Sequence, residues 1–181
     1  MILYTVQEYT LYKKLLKSKV LKVDLSFSEL YVDYKIAYDW LYKQFKKRVK
    51  NYDGNPLWWG YLKRPDLRVY RRYCCEKMVL IELDIPDNLL LKSNFYLWEC
   101  AICDAGIFKS LKEFNAYYKD EKNWTSKVKK QKQKIKEKSW DIIFEESLPK
   151  SKWLEEYEIK WQVNFEYLKL SDVKSVKIFN E

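Results

Sequence analysis

The chain has 181 residues, of which 48% are hydrophobic and 34% are charged, and it carries a formal net charge of +9. These proportions are typical of a globular protein and exclude a disordered chain. The sequence has no histidine and only three glycines, which excludes histidine-based catalysis, histidine-ligated metals and glycine-rich phosphate loops. We expect a single cytoplasmic domain over residues 1–181, with reduced thiols and no membrane segment.

The first part of the chain predicts strands that alternate with helices. We expect a strand at 2–6, a helix from about 9 to 16 and a second strand at 20–23. A longer helix is expected at 34–49, where Ala37, Leu41, Phe45 and Val49 recur every four residues. Turn-forming residues at 51–56 end this helix, and the aromatic segment 57–62 fits a strand.

The second part predicts a central strand at 78–85, a helix at 95–103, irregular structure to residue 122 and a basic helix at 124–147. The clearest pattern is at 159–167, where polar residues alternate with apolar ones and predict a central or near-central strand. The apolar set is Ile159, Trp161, Val163, Phe165 and Tyr167. With a closing edge strand at 173–178, the order of elements predicts an α+β fold with a mixed, mainly antiparallel sheet flanked by helices.

The four cysteines predict no metal site. Cys100 and Cys103 have CxxC spacing, but the other pair, Cys74 and Cys75, is adjacent in sequence. Two neighbouring thiolates do not easily face one tetrahedral metal. We therefore expect buried free thiols that act as small hydrophobic residues.

The segment 127–138 holds seven lysines and a single acid, Glu137. Such a cluster fits a nucleic-acid-binding arm. The alternative is a helix whose lysines face water, and the seven-residue spacing of Val128 and Ile135 favours it. The candidate contacts to nucleic acid are Lys127, Lys129, Lys130, Lys132 and Lys134.

A second charged cluster, Arg64, Asp66 and Arg68, surrounds Pro65. Asp66 is placed to orient one guanidinium while the other stays available for a phosphate or carboxylate. Trp58 and Trp59 lie a few residues before it in sequence and offer a surface for stacking a base. The alternative is an ion-paired turn with a structural role.

Polar residues on the terminal strand form the third candidate site. Gln162, Asn164 and Glu166 project from one face, and Glu166 is the carboxylate that a rigid strand holds there. Glu166 and Gln162 are the candidate catalytic residues. The alternative is a strand face exposed to solvent. We expect Glu166→Gln to leave the stability nearly unchanged, whatever it does to function.

The order of segments resembles an uncharacterised family of small bacterial and mobile-element proteins. The resemblance covers most of the chain outside about 105–135 and implies no particular activity. It rests on the segments 3–7, 20–21, 37–40, 64–68, 79–82 with the proline that follows, 95–98 and 161–173.

A more distant resemblance is to the ADP-ribosyltransferase-like fold, which also opens with a strand and helix and ends on a strand with a catalytic Glu. It implies an NAD cofactor and a split central sheet around a cleft. The first-strand cation of that fold would fall at Thr5, and its catalytic Glu would fall at Gln162 or, with a shifted register, at Glu166. Because Thr5 is not a cation and Gln162 is not an acid, we expect a form that has lost its activity.

We therefore expect a small non-catalytic binding protein without a cofactor, an inhibitor or effector in conflict between bacteria and phages or mobile elements. Its many aromatic residues favour a macromolecular partner, a protein rather than a nucleic acid. One alternative is an NAD- or nucleotide-using transferase with Arg64 and Arg68 on the pyrophosphate. The other is nucleic-acid binding through the lysine helix.

Overall fold

A six-stranded sheet, with strand order β5-β6-β3-β1-β4-β8, is the main β structure in the computed structural model, which describes residues 1–25, 29–147 and 160–180. The pairings of β3 with β6, β1 with β3, β1 with β4 and β4 with β8 are all antiparallel. A separate antiparallel pair joins β2 and β7. The strands are β1 (Ile2–Glu8), β2 (Val20–Leu21), β3 (Trp58–Tyr61), β4 (Met78–Asp84), β5 (Leu91–Asn94), β6 (Trp161–Phe165), β7 (Leu168–Lys169) and β8 (Val173–Phe179).

Helices are distributed along the whole described chain, so the predicted α+β class is confirmed. They are α1 (Tyr9–Ser18), α2 (Glu29–Asp33), α3 (Lys35–Arg48), α4 (Leu67–Tyr73), α5 (Phe95–Ile102), α6 (Leu111–Tyr118) and α7 (Ser126–Ser139), with a long 3-10 turn at Trp140–Phe144. None of the helices in the described ranges is long and apolar enough to cross a membrane.

The chain divides into two compact units. The first consists of Met1–Ser28, Tyr42–Lys92 and Trp161–Glu181, and the second of Glu29–Leu41 and Ser93–Lys160. The first unit therefore holds most of the sheet with α1 and α4. The second unit holds α5, α6, α7 and the 3-10 turn.

The core of the first unit lies on one face of the sheet, where α1 covers it. Leu3, Ile81 and Val163 are fully buried there, and Leu15 of α1 packs against them. Gly60 of β3 faces the same side, and a Cβ atom at this position would lie 2.7 Å from Leu3 Cδ1. The close approach of these strands and side chains therefore requires a glycine.

The core of the second unit is aromatic. Trp140 is fully buried, and its ring packs edge-on against that of Trp40 with centroids 5.4 Å apart. The Trp140 indole donates a hydrogen bond to the Ala105 carbonyl at 2.6 Å. The Phe144 ring stacks on the Trp40 ring with centroids 5.5 Å apart. The 3-10 turn is therefore packed in place at its first residue, Trp140, and at its last, Phe144.

Two helices, α4 and α6, lie where the sequence predicted a turn and irregular structure. Asp66 caps the N-terminus of α4, and its carboxylate accepts from the Arg68 amide at 2.9 Å. Ser110 caps the N-terminus of α6, and its hydroxyl accepts from the Glu113 amide at 3.2 Å. The Glu113 carboxylate accepts from the Lys109 amide at 2.9 Å. Ser and Glu three residues apart are a capping-box signal that was present in the sequence.

Strand β6 confirms the prediction of a near-central strand, because it lies between β3 and β5. Val163 and Phe165 are buried as expected, whereas Ile159 lies outside the described residues. The alternative of a solvent-exposed polar face is wrong, because Gln162, Asn164 and Glu166 are also buried. Strand β6 therefore has a neighbouring strand on each side within the sheet and buried side chains on both faces of the sheet.

The expectation of buried thiols is wrong. Cys75 and Cys103 are exposed, Cys74 and Cys100 are half-buried, and none of the four forms a disulfide bond.

Candidate functional site

Glu166 directly follows β6 and holds a loop in place. Its carboxylate accepts hydrogen bonds from the Asp53 amide at 3.1 and 3.2 Å, the Asn55 amide at 2.9 Å and the Asn55 side-chain nitrogen at 2.7 Å. The residue is 7% exposed. Hydrogen bonds from several N–H groups are what a buried carboxylate requires, so the best-placed candidate catalytic acid has a structural role.

The neighbouring tyrosine strengthens the same loop. The Tyr167 hydroxyl donates to the Asp53 carboxylate and accepts from the Asn55 side-chain nitrogen at 3.0 Å. The hydrogen bond to Asp53 raises the pKa of Tyr167 to about 12. Burial, with a smaller effect of the Glu166 charge, raises the pKa of Tyr52 to about 12. Below the ordinary tyrosine pKa of about 10, both phenols are protonated in the folded and the unfolded chain, and the stability of the fold is at its full value. Between about 10 and about 12, the phenols ionise in the unfolded chain before they ionise in the fold, so the free energy of unfolding decreases as the pH rises.

Glu166→Gln is expected to lower the free energy of unfolding by about 1–3 kcal/mol, because the new amide group places N–H donors against the donors of the loop. This reverses the expectation from sequence that the change is neutral. Urea titration followed by circular dichroism measures the effect. The control is Glu76→Gln at an exposed position, where we expect a change within about 0.5 kcal/mol. Equal midpoints for the two variants would contradict the role assigned to Glu166.

A cleft of about 240 Å³ lies beside this loop. Its floor is apolar and its rim carries both signs of charge, including Lys50, Lys169 and Asp172. Three of its seven polar lining residues, Asp53, Glu166 and Tyr167, are already hydrogen-bonded to one another.

Thr5 and Gln162 project from opposite faces of the sheet. Tyr4 pairs with Tyr61, which pairs with Gln162, so these three side chains share one face, and Thr5 lies on the other. The Thr5 hydroxyl donates to the Trp59 carbonyl at 3.0 Å and accepts from Gln7 at 2.7 Å. The structure does not bring together the two residues that the transferase resemblance assigns to one NAD site.

The amide side chains of β6 are deeply buried with incomplete hydrogen bonding. Gln162 is 4% exposed and its side-chain nitrogen has no hydrogen-bond partner among the described residues. Asn164 is fully buried and donates to the Trp58 carbonyl at 3.4 Å, while its side-chain oxygen has no partner in the same part of the chain.

The two tryptophans predicted as a stacking surface are separated by the sheet. Trp58 is buried in the core of the first unit, and Trp59, the next residue of β3, projects from the other face and is half-buried. They therefore do not form a common platform for a base.

The Arg64–Arg68 segment forms an ion-paired cap. The Arg68 guanidinium donates to both carboxylate oxygens of Asp66, at 2.6 to 3.0 Å. These hydrogen bonds lower the pKa of Asp66 to about 2. Arg64 is exposed. Asp66 and Arg68 line a surface cleft with Arg72 and Tyr73 that is distinct from the cleft beside Glu166, so Arg68 and Glu166 do not line a common cleft.

The lysines of α7 fall into two classes. Lys136 is 8% exposed and pairs with Asp104 at 2.5 Å. Lys132 lies over the rings of Tyr117 and Trp124, at 4.8 and 4.9 Å, and donates to the Tyr117 carbonyl. Both amines are used within the second unit. The other lysines of α7 are exposed: Lys127, Lys129, Lys130, Lys134 and Lys138.

An open groove of about 530 Å³ lies between α6, α7 and the 3-10 turn. We call it the α6–α7 groove. Its apolar lining consists of Ile107, Phe108, Ala116, Tyr117, Ile135 and Ile142. Its polar lining consists of Lys109, Glu113, Lys132, Lys138, Ser139, Asp141 and Glu145.

The groove was missed from the sequence because α6 was not predicted. Ile135 is 53% exposed at the groove, and α6 exposes Leu111 and Phe114 by 54% and 37%. The Phe114 ring lies 6.0 Å from that of Phe108, which lines the groove. The capping box at Ser110, together with the spacing of Val128 and Ile135, was the signal that pointed to two facing helices.

Residues 2–169 match the family described as a domain of unknown function, DUF3841, and the chain belongs to this family. The resemblance to an uncharacterised family is thereby confirmed. No curated protein and no solved structure shows significant similarity to the chain. The likeness to the ADP-ribosyltransferase-like fold stays a prediction.

Proposed function

We propose that this member of the DUF3841 family is a small binding protein that acts without catalysis and takes another protein as its partner. The observation that carries the proposal is the open apolar α6–α7 groove. Its setting is the cytoplasm, where exposed thiols such as those of Cys75 and Cys103 stay reduced.

The fate of the candidate catalytic groups favours binding over catalysis. The Glu166 carboxylate accepts hydrogen bonds from the loop at 53–55, and the Arg68 guanidinium donates hydrogen bonds to the Asp66 carboxylate. A general acid or a nucleophile needs a group that reaches the substrate, and these groups are directed to the protein itself. Six of the eight described strands also form one continuous sheet, and β2 and β7 form a separate pair, whereas the transferase interpretation expects a central sheet that is split around a cleft.

The chemistry of the groove favours a protein partner. Aliphatic side chains such as Ile135 are poor stacking surfaces for bases but good contacts for Leu, Ile or Phe of a partner. The groove lining carries as many lysines as carboxylates, so it lacks the excess positive charge that binds a phosphate backbone. The lysines are Lys109, Lys132 and Lys138, and the carboxylates are Glu113, Asp141 and Glu145.

The test is photo-crosslinking in host cells. A benzoylphenylalanine at position 135 is expected to give one discrete protein adduct, because this side chain lines the groove. The same group at position 129, also exposed on α7, serves as the control and is expected to give no such adduct. Crosslinking to nucleic acid at position 135, or the same adducts from both positions, would overturn the proposal.

A further inference from the structure

We propose that the α6–α7 groove binds an amphipathic helix with an acidic polar face, so that apolar side chains enter the groove and carboxylates meet a row of lysines on α7. This inference rests on the proposed function and adds the chemistry of the partner. The row consists of Lys127, Lys130, Lys134 and Lys138.

The four lysines form one stripe along α7. At about 100° per residue they fall within an arc of about 80°, and from the first to the last they extend about 16 Å along the axis. Lys138 also lines the groove, and Ile135 lies about 60° around the helix from it. Lys138, Lys127 and Lys134 lie about 60°, 80° and 100° around the helix from Ile135, so these three flank the apolar surface. Lys130, at about 140°, lies farther around α7.

The charge of this stripe is not neutralised within the described part of the chain. All four lysines are exposed, and no ion pair joins them to an acid there. Glu137, the single acid of α7, accepts a hydrogen bond from Gln133 at 3.1 Å instead. By contrast, Lys132 and Lys136 are held by partners within the unit. The positive charge available to a ligand is thus concentrated in the stripe.

The form of the partner follows from the walls of the groove. Backbone groups of α6 and α7 are hydrogen-bonded within their helices, so they offer no row of donors and acceptors to an extended peptide. A helix satisfies its own backbone and presents apolar side chains at i, i+3, i+4 and i+7, which suits an apolar groove. The lysine stripe selects carboxylates on the side of the ligand next to α7. The carboxylates of the groove itself belong to α6 and to the 3-10 turn and the residue that follows it, and not to α7.

The experiment is a selection from a displayed library of helical peptides about 16 residues long, which span about 24 Å. Apolar positions vary among Leu, Ile, Phe and Met, and polar positions vary among Glu, Gln and Lys. Selection on the full-length protein is expected to enrich Glu over Lys on the side next to the apolar face. The enriched peptide is expected to bind about tenfold more weakly after its Glu residues are changed to Gln.

Matched variants locate the contact. The double variant Lys134→Glu, Lys138→Glu is expected to reverse the selection, so that Lys is enriched instead of Glu. Lys129→Glu makes the same change about 140° around the helix from Lys134 and is expected to leave the selection unchanged. Ile135→Gln is expected to weaken the enriched peptide about tenfold through the loss of apolar contact, with circular dichroism confirming that each variant is folded.

Several outcomes would overturn the inference. The first is that no peptide is enriched on the unaltered protein more strongly than on the Ile135→Gln variant, and the second is that Glu and Lys are enriched equally. The third is that Lys129→Glu changes the selection as much as the double variant does. The fourth is that oligothymidine displaces the bound peptide. A protein adduct at position 135 in cells together with equal enrichment of Glu and Lys would reject the acidic helix alone. Loss of that adduct would reject the proposed function as well.

Discussion

Phe165→Ala is expected to lower the free energy of unfolding by about 3–5 kcal/mol. The ring is 1% exposed and belongs to the core on the α1 side of the sheet. Phe165 lies opposite Trp58 in the antiparallel pair of β3 and β6, so its removal leaves a cavity between two large side chains. Such a loss is a large part of the typical stability of a domain, about 5–15 kcal/mol.

Urea titration monitored by circular dichroism measures this loss. The matched control is Val69→Ala, which also shortens an apolar side chain in the first unit but at a position 55% exposed. We expect the control to change the stability by no more than about 0.5 kcal/mol. A Phe165→Ala variant as stable as the control would show that β6 is not an interior strand.

Trp140→Ala is expected to be as severe in the second unit, with a loss of about 3–5 kcal/mol. The side chain is fully buried, packs edge-on against Trp40 and donates a hydrogen bond to the Ala105 carbonyl. Trp140→Phe keeps much of the packing but leaves that carbonyl without its donor. We expect this variant to lose about 1–3 kcal/mol.

Denaturant titration of these two variants and of Leu111→Ala, a change at a position 54% exposed, separates the effects. We expect Leu111→Ala to be the most stable of the three variants, Trp140→Phe to be less stable and Trp140→Ala to be the least stable. If Trp140→Phe retained the stability of the unaltered protein, the hydrogen bond to Ala105 would have no part in anchoring the 3-10 turn.

Periodicity predicted much of the fold because the strongest signals are local. The alternation around Val163 and Phe165 identified β6, and the four-residue spacing around Leu41 identified α3. Helix α4 was missed because its sequence, Leu67–Tyr73, is largely charged and aromatic and has no apolar stripe. In α6 the capping box was the better signal, because a helix of eight residues has little room for a period.

The sites were harder to predict, because the partners of each side chain are distant in sequence. Glu166 looked free for chemistry, yet the loop that it holds lies more than a hundred residues earlier, at Asp53 and Asn55. The composition of the lysine helix does not distinguish its seven lysines from one another. The fold sets Lys136 apart by placing Asp104 beside it, and Asp104 itself has a positive φ of 51° that no pattern in the sequence indicates.

The strand order also bears on how the protein is synthesised. Strand β6 completes the sheet beside β3, although Asn164 and Trp58, which contact each other there, are 106 residues apart in the chain. During translation, β3 therefore emerges with an unpaired edge that stays open until residues 161–165 have left the ribosome. Open edges promote association between nascent chains, and pairing over such distances is slow. Ribosome-associated chaperones are thus expected to engage the chain before its last strands appear.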